Sequence, residues 1–362
     1  MKLKNCTVQE LAEIGNEKRI FCFGASFMPQ EICEEYGEYG FEDKFDYFVD
    51  NSPQKQGTVY RLQGKEIQVL SVNELISAIT DNDLILITSK YYVEIYEQLE
   101  QVPELEEVSC YVWPAIAPAY KSDRDFFRKI KAIEKEGAQI PRKIHYFWMG
   151  GNPIPALEQK CIDSWKRVCP DYEIVLWNED NYDVAKCPYM KQAYEAKKWG
   201  FVPDYARLDV IYRYGGIYLD TDVEVIKRFD PLLNLEGFVG FESKGLVAFG
   251  QGFGAKKGNR MIRAMRDRYE DLRFRLDNGE CDLTASTFIQ TETLQRFGLE
   301  KNNQVQVLDD LAILPKECFC PDNNLIPHVT ANTFSIHHFS GSWTSEKNKI
   351  MLEKMRAFNQ WM

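Results

Sequence analysis

Residues 84–88 read Leu-Ile-Leu-Ile-Thr. Four apolar side chains in succession leave no polar face for solvent, so the run suits a strand buried on both sides, as in a parallel sheet covered by helices. The surrounding sequence repeats this theme. Arg19 to Gly24 is an apolar run that enters a Gly-Ala-Ser turn, and Met28 to Tyr36 follows with helical spacing. Phe45 to Val49 is a second run ending in Asp50-Asn51, and Val93 to Leu99 reads as another helix. Strands alternating with helices predict a doubly wound parallel sheet over the first 120 residues.

At 362 residues the chain has room for about two domains of roughly 150 residues each. Pro114 and Pro118 precede a strongly charged stretch, 121 to 138. The division expected is an α/β domain over 1–125, a linker helix over 126–138, and a second α/β domain over 139–362. In the second domain the pattern restarts with strand Lys143 to Trp148, helix Ala156 to Val168, strand Tyr172 to Trp177, a helical stretch through Tyr214 and strand Ile217 to Ile226. Strands Phe238 to Phe241 and Leu246 to Gly250 come next. They are followed by amphipathic helices near 259–276 and 284–297, a strand near 334–339 and a closing helix over 345–360.

Forty-four basic residues face 55 acidic ones, a formal charge of −11, with no long basic block. That balance argues against sequence-independent nucleic-acid binding. No run of 18 apolar residues and no signal-peptide core is present, which predicts a cytoplasmic protein. Ten cysteines occur without a C-x-x-C pair, so buried reduced thiols are expected in place of a zinc knuckle or a disulfide framework.

The chemistry concentrates between Asp204 and Asp222. Asp204-Tyr205-Ala206-Arg207 leads through Tyr214-Gly215-Gly216 to Ile217-Tyr218-Leu219-Asp220-Thr221-Asp222. The glycine pair suits a helix end with left-handed or closely approached backbone. On an extended chain, period two puts Asp220 and Asp222 on one face, where they can share a hard divalent cation. Mg²⁺ or Mn²⁺ held by so few protein ligands completes its shell with water and phosphate oxygens, so a nucleoside diphosphate is the natural partner. Asp204 and Arg207 lie one helical turn apart, in a stripe with Ile211 and Tyr214, and an ion pair closing the helix is the alternative reading.

The spacing D-x-x-R, glycine pair, Y-x-D-x-D resembles the DXD glycosyltransferases of family 32, which include initiating mannosyltransferases and capsular polysaccharide enzymes. It is also similar to the catalytic domain of large glucosylating toxins. Ile140 to Gly151, reading I-P-R-K-I-H-Y-F-W-M-G-G, resembles the family's first strand, with Cys161 to Trp165 and Tyr172 to Asn178 following in the family's order. His337-His338-Phe339-Ser340-Gly341-Ser342-Trp343 resembles its H-x-F-x-G-S-W element. The matches span about 138 to 345.

The resemblance implies a GT-A fold for the second domain and retaining transfer from a nucleotide sugar, a uridine diphosphate sugar being favoured. Trp148 would stack on the donor base. Asp222 would bind the cation directly, Asp220 partly through water or the ribose, and His337 would add a ligand that favours Mn²⁺ over Mg²⁺. His338 points to the opposite face of its strand and is set aside. Ser342 and Trp343 would donate to the diphosphate. Asp204 and Arg207 would hold donor-sugar hydroxyls. A carboxylate nucleophile and front-face attack both remain open. Asp282 to Thr291 stands where the family carries Thr-Gly-Pro, but Gly-Pro is missing, and a Thr-rich helix start is the alternative.

The acceptor implied is a saccharide or lipid-linked glycan in surface polysaccharide assembly, which allows peripheral association with the inner face of the cell membrane. The first domain resembles the Rossmann-like domains attached to some sugar-modifying enzymes. Its G-x-G-x-x-G is incomplete, because Ser26 replaces the second glycine, so a structural or partner-binding role is expected over a dinucleotide site. Alternatives to a transferase are a nucleotide-sugar hydrolase or nucleotidyltransferase with the same metal site, and a nucleotide-sugar-binding protein.

Overall fold

The computed structural model describes residues 1–116, 125–242, 245–323, 326–341 and 346–359. The chain forms two compact units. The first takes Met1–Tyr120, Asn323–His328 and Lys347–Met362; the second takes Lys121–Asp322 and Val329–Glu346.

The first unit is built on a seven-stranded sheet. Its strands are β1 (Lys2–Leu3), β2 (Ile20–Phe23), β3 (Phe45–Val49), β4 (Val59–Leu62), β5 (Lys65–Leu70), β6 (Leu84–Ile87) and β7 (Ser109–Val112), in the order β1-β7-β6-β2-β3-β5-β4. Neighbours are parallel except for the β4–β5 hairpin. Every residue of β2 and β6 is buried, as their unbroken apolar runs require. Two helices start with capping boxes, α1 (Val8–Ile14) from Thr7 and Glu10 and α3 (Val72–Ala78) from Ser71 and Glu74. Helices α2 (Met28–Glu35) and α4 (Tyr92–Glu100) pack on opposite faces of the sheet.

The chain steps from β2 to β3 on one side and later returns to β6 on the other. At this turn Gly24 adopts φ +123°, and a Cβ there would come within 2.7 Å of the Thr88 carbonyl oxygen. Asp50 Oδ2 accepts hydrogen bonds from the Ala25 N–H at 3.1 Å and from Lys55 Nζ at 2.8 Å. The carboxylate that would meet a ribose in a dinucleotide site is therefore engaged by its own chain.

The closing helix, Glu346–Asn359, differs from its expected assignment, because from Lys347 onward it belongs to the first unit. Met355 is buried in that unit's core, and the Phe358 ring packs edge-on against Tyr92 and Tyr96. The Tyr92 hydroxyl donates to Asn359 Oδ1 at 2.7 Å. Helix α5 (Phe126–Ile133), expected as a linker, belongs to the second unit: Phe126 and Ile130 are buried in its core beside Phe334.

The second unit carries a seven-stranded mixed sheet. Its strands are β8 (Lys143–Phe147), β9 (Glu173–Trp177), β10 (Gly216–Tyr218), β12 (Gly237–Phe241), β13 (Val247–Ala255), β14 (Gln306–Leu308) and β15 (Leu311–Leu314), ordered β14-β15-β12-β13-β10-β8-β9. β9, β8 and β10 run parallel, whereas β13 is antiparallel to both β10 and β12. Strand β11 (Val223–Val225) leaves this sheet and pairs antiparallel with the strand Ser335–His337. Helices α6 (Ala156–Val168), α7 (Pro188–Glu195), α8 (Pro203–Tyr214), α9 (Arg260–Arg268) and α10 (Ser286–Gln295) surround the sheet.

The glycines after α8 are explained by space. Gly215 and Gly216 have φ +67° and +108°, and a Cβ on Gly216 would lie 2.9 Å from both His145 Nε2 and the Lys143 carbonyl oxygen. The expected strand over Ile217 to Ile226 is interrupted: β10 ends at Tyr218 and β11 begins at Val223. Asp220 and Asp222 lie in the turn between them, where Val223 N–H closes on the Asp220 carbonyl at 3.1 Å.

Candidate metal and nucleotide site

The turn after β10 brings the paired acids together by hydrogen bonding, where an extended strand was expected to do so by its pleat. Asp220 N–H donates to the Gly250 carbonyl of β13 at 2.9 Å, and the Tyr218 hydroxyl donates to Asp220 Oδ1 at 2.8 Å. The Asp222 backbone carbonyl accepts from His338 N–H at 3.0 Å, and Asp222 Oδ2 accepts from Ser340 N–H at 2.8 Å. Two motif residues of α6 hold the next strand: Trp165 Nε1 donates to the Val223 carbonyl at 2.7 Å, and Ser164 Oγ accepts from Val225 N–H at 2.9 Å.

Antiparallel pairing sets His337 opposite Val223, and its Nε2 lies 3.4 Å from Asp222 Oδ1. One ligand atom each from Asp220, Asp222 and His337 lies within 4.8 Å of the others. Two carboxylates and an imidazole converging in a largely buried place fit a divalent cation, and oxygen with borderline nitrogen donors suits Mn²⁺ or Mg²⁺. The metal-free electrostatics agree with that need for positive charge. Burial alone would raise the Asp222 pKa, but His337 and the Ser340 N–H hold it well below the usual carboxylate range. Burial alone would lower that of His337, yet Asp222, Asp220 and Glu242 raise it to about 9. A proton on His337 thus stands where the cation's charge is needed, and His337 Nδ1 is buried without a hydrogen-bond partner. His338 turns the other way, its Nε2 2.9 Å from Glu224 Oε2.

Beside the acids lies a buried relay. Arg207 is 4% exposed and Asp204 3%. Arg207 Nη2 donates to Asp204 Oδ1 at 3.0 Å, and Nη1 lies 3.5 Å from Asp220 Oδ2. Nε is tied to the Pro203 carbonyl, and the guanidinium sits over the Tyr218 ring. The Tyr189 hydroxyl, 3.4 Å away, and Ser286 donate to Asp204. Burial raises the Asp204 pKa to about 7 against the pull of Arg207. The ion pair within the helix is thus joined to the grouped acids: Arg207 bridges Asp204 to Asp220, one of three residues that could hold a cation. Ser286, the first residue of α10, brings the Asp282 to Thr291 stretch to the site without Gly-Pro.

Trp148 follows β8, half-buried, with its N–H on the Trp177 carbonyl at 3.0 Å and its Nε1 donating to the Asn152 carbonyl at 2.6 Å. The neighbouring His145 is structural. Its Nδ1 accepts from Trp177 Nε1 at 3.1 Å, its Nε2 faces the Gly215 carbonyl at 3.0 Å, and burial lowers its pKa to about 4. Ser342 and Trp343 lie outside the described residues.

One residue that shapes this site escaped the sequence reading. A Cβ on Gly250 would collide with Asp220 Oδ2 and stand 2.7 Å from Arg207 Nη1. The alternating glycines of Gly250-Gln251-Gly252-Phe253-Gly254 are the signal that could have found it, since glycine inside a strand marks close approach by a neighbour. Eight of the ten cysteines are buried, and Cys6 and Cys281 are half-buried.

Residues 155–239 match the family described as "Glycosyltransferase sugar-binding region containing DXD motif". The inositol phosphoceramide mannosyltransferase 3 of Schizosaccharomyces pombe is 34% identical over 112 residues, 29% of this chain and 30% of that protein. The subversion of eukaryotic traffic protein A of Legionella pneumophila is 26% identical over 180 residues, 40% of this chain and 27% of that protein. The chain thus spans about a third or less of the length of these curated relatives. Among solved structures, the PaToxG glycosyltransferase superposes with a TM-score of 0.36 at 18% identity, covering 48% of this chain and 74% of that one.

Proposed function

We propose that the chain, whose residues 155–239 match the DXD-containing glycosyltransferases, is a metal-dependent, retaining hexosyltransferase that moves a sugar from a nucleotide sugar to a saccharide or glycoconjugate acceptor. The observation that carries this reading is the convergence of Asp220, Asp222 and His337 beside the buried Arg207–Asp204 pair. The mannosyl transfer named in the relatives supports a hexose. No helix among the described residues is long and apolar enough to cross a membrane.

Asp220, Asp222 and His337 would hold the cation, which when bound neutralises charge building on the departing diphosphate. The chain's residues do the rest. Tyr218 and Arg207 fix the Asp220 carboxylate, and the Ser340 N–H fixes that of Asp222. Trp148 offers an indole face to the base, its ring held through Asn152. Asp204 is braced by Arg207, Tyr189 and Ser286, and with Arg207 it would hold donor-sugar hydroxyls. Each of these three acids is engaged by a cation, a proton donor or the metal position, which favours front-face attack over a carboxylate nucleophile. The rate gain is electrostatic, from charges placed before the reaction starts.

The test is nucleotide release from sugar donors, with and without Mn²⁺ and acceptor. Transfer is expected to vanish in the Asp220→Asn, Asp222→Asn double variant while circular dichroism stays unchanged. Undiminished transfer would defeat the proposal, and full-rate release without acceptor would point to a hydrolase.

A further inference from the structure

Five described residues other than glycine have a left-handed backbone: Gln63, Lys197, Asn303, Asp309 and Phe339. The first four are polar. Phe339, at φ +47°, carries a bulky ring into a region that L-residues avoid. A strained backbone of this kind persists only where its surroundings over-determine it. Here those surroundings are the grouped acids and His337. Phe339 stands two residues after His337, at the exit of the strand Ser335–His337. On its upstream side the His338 N–H donates to the Asp222 backbone carbonyl at 3.0 Å. On its downstream side the Ser340 N–H donates to Asp222 Oδ2 at 2.8 Å. Asp222 is thus gripped twice, at its backbone and at its carboxylate, by amides on either side of the left-handed residue. An extended residue at 339 would send the Ser340 amide roughly 7 Å onward along the line of the strand. The turn returns it to the side chain of the residue whose backbone His338 already holds.

The ring has a second contact in the same place. Its centroid lies 4.2 Å from that of the His337 imidazole, with the two planes tilted by 36°. We propose that Phe339 is a positioning residue for the cation, an inference that rests on the metal assignment above. Its left-handed backbone fixes the Asp222 carboxylate through Ser340, and its ring fixes the plane of the His337 imidazole. With Oδ2 held by Ser340, Oδ1 is the oxygen that lies beside His337 Nε2, at 3.4 Å. An imidazole free to turn about its side-chain torsions presents Nε2 only part of the time. A ring packed against its face removes that freedom before the ion arrives. Phe339 itself offers no donor atom to a metal, so it acts only through Asp222 and His337. Outer partners that orient metal ligands are typically worth about 10–100-fold in metal affinity.

Calorimetric titration of the full chain with Mn²⁺ alone separates the two effects. Phe339→Tyr keeps the ring and should bind like the parent. Glycine adopts a left-handed backbone without penalty, so Phe339→Gly removes the ring, keeps the turn and should bind about tenfold more weakly. Valine is branched at Cβ and resists the left-handed region, so Phe339→Val removes both and should bind about a hundredfold more weakly. In a His337→Gln background the glycine substitution should cost nothing further, because the ring has lost its partner. The valine substitution should still weaken binding there, through Asp222. Comparing the two backgrounds cancels any general loss of fold common to both. Parent-like Mn²⁺ affinity in Phe339→Gly, or an equal loss with and without His337, would overturn the role of the ring. A valine variant no weaker than the glycine variant would overturn that of the backbone. Failure of the parent chain to bind Mn²⁺ would instead overturn the metal assignment, and this inference with it.

Discussion

Replacing Gly250 by alanine separates the geometry of the site from the stability of the fold. The backbone at Gly250 is outside the left-handed region, so alanine is permitted there and only space is at issue. The added methyl would lie 2.7 Å from Arg207 Nη1 and overlap the Asp220 carboxylate. Carbon-to-heavy-atom contacts settle near 3.5 Å, so Arg207 and Asp220 must each retreat by about 0.8 Å or more. Both obstructing groups are side-chain ends, and the fold can absorb the change at a cost of about 1–3 kcal/mol. The site cannot absorb it. Asp220 would leave its 2.8 Å bond to Tyr218 and its place among the metal donors. Misplacement of about 1 Å in a catalytic constellation is worth on the order of a hundredfold in rate. Manganese-dependent sugar transfer should therefore fall about a hundredfold, with a far-ultraviolet spectrum like that of the parent and a modest loss of melting temperature. Gly37→Ala, where an added Cβ meets nothing within 4 Å, is the control and should be silent. Full activity in Gly250→Ala would refute the claim that Asp220 and Arg207 work in the positions seen here.

Without metal, the His337 pKa of about 9 exceeds the ordinary 6.5, so its pairing with Asp222 contributes fully below pH 6.5 and is lost as pH rises through 9. The shift bounds this contribution at about 3 kcal/mol, and the stability gap between parent and His337→Gln in chelator should close between pH 6 and pH 10. Because the cation must displace that proton, Mn²⁺ affinity measured by calorimetry should rise with pH over pH 7 to 9, and a flat profile would remove His337 from the ligand set. Trp148→Ala should weaken nucleoside diphosphate binding by about 1–3 kcal/mol without altering the metal's pH dependence. Met355→Ala should cost about 2–5 kcal/mol, seen as a lower melting temperature with sugar transfer preserved at low temperature.

Burial on both faces made β2 and β6 readable, because consecutive apolar residues admit few other environments. The β4–β5 hairpin was not read. Its strands alternate polar residues such as Arg61 and Glu66 at the sheet edge, and its signal was a two-residue turn, Gln63-Gly64, with both residues left-handed. The pairing of Asp220 with Asp222 was legible, but its cause was not. Sequence period suggested a pleat, whereas the carboxylates meet through a turn held by Gly250 and Tyr218 from elsewhere in the chain. His337 is placed by the pairing of two three-residue strands far apart in sequence, which no local pattern encodes. The closing helix over 345–360 was expected, but a helical pattern does not name the partner of the face it buries. Met355 and Phe358 found theirs in the first unit.

The destination of that last helix makes the second unit, topologically, an insertion within the first. The first unit's chain leaves at residue 120, resumes at 323, and closes only with the segment from 347. If the inserted unit melts, the first must hold the ends of a loop of roughly two hundred residues together, an entropic penalty on the order of 5 kcal/mol from (3/2)RT ln n. Two bodies with separate cores are thereby coupled in their unfolding through connectivity alone. The arrangement also limits how the gene can be cut. A break near residue 125 leaves a first fragment without the helix that carries Met355 and Phe358, and leaves that helix's apolar face exposed on the other fragment, so neither piece reproduces what it was in the whole chain.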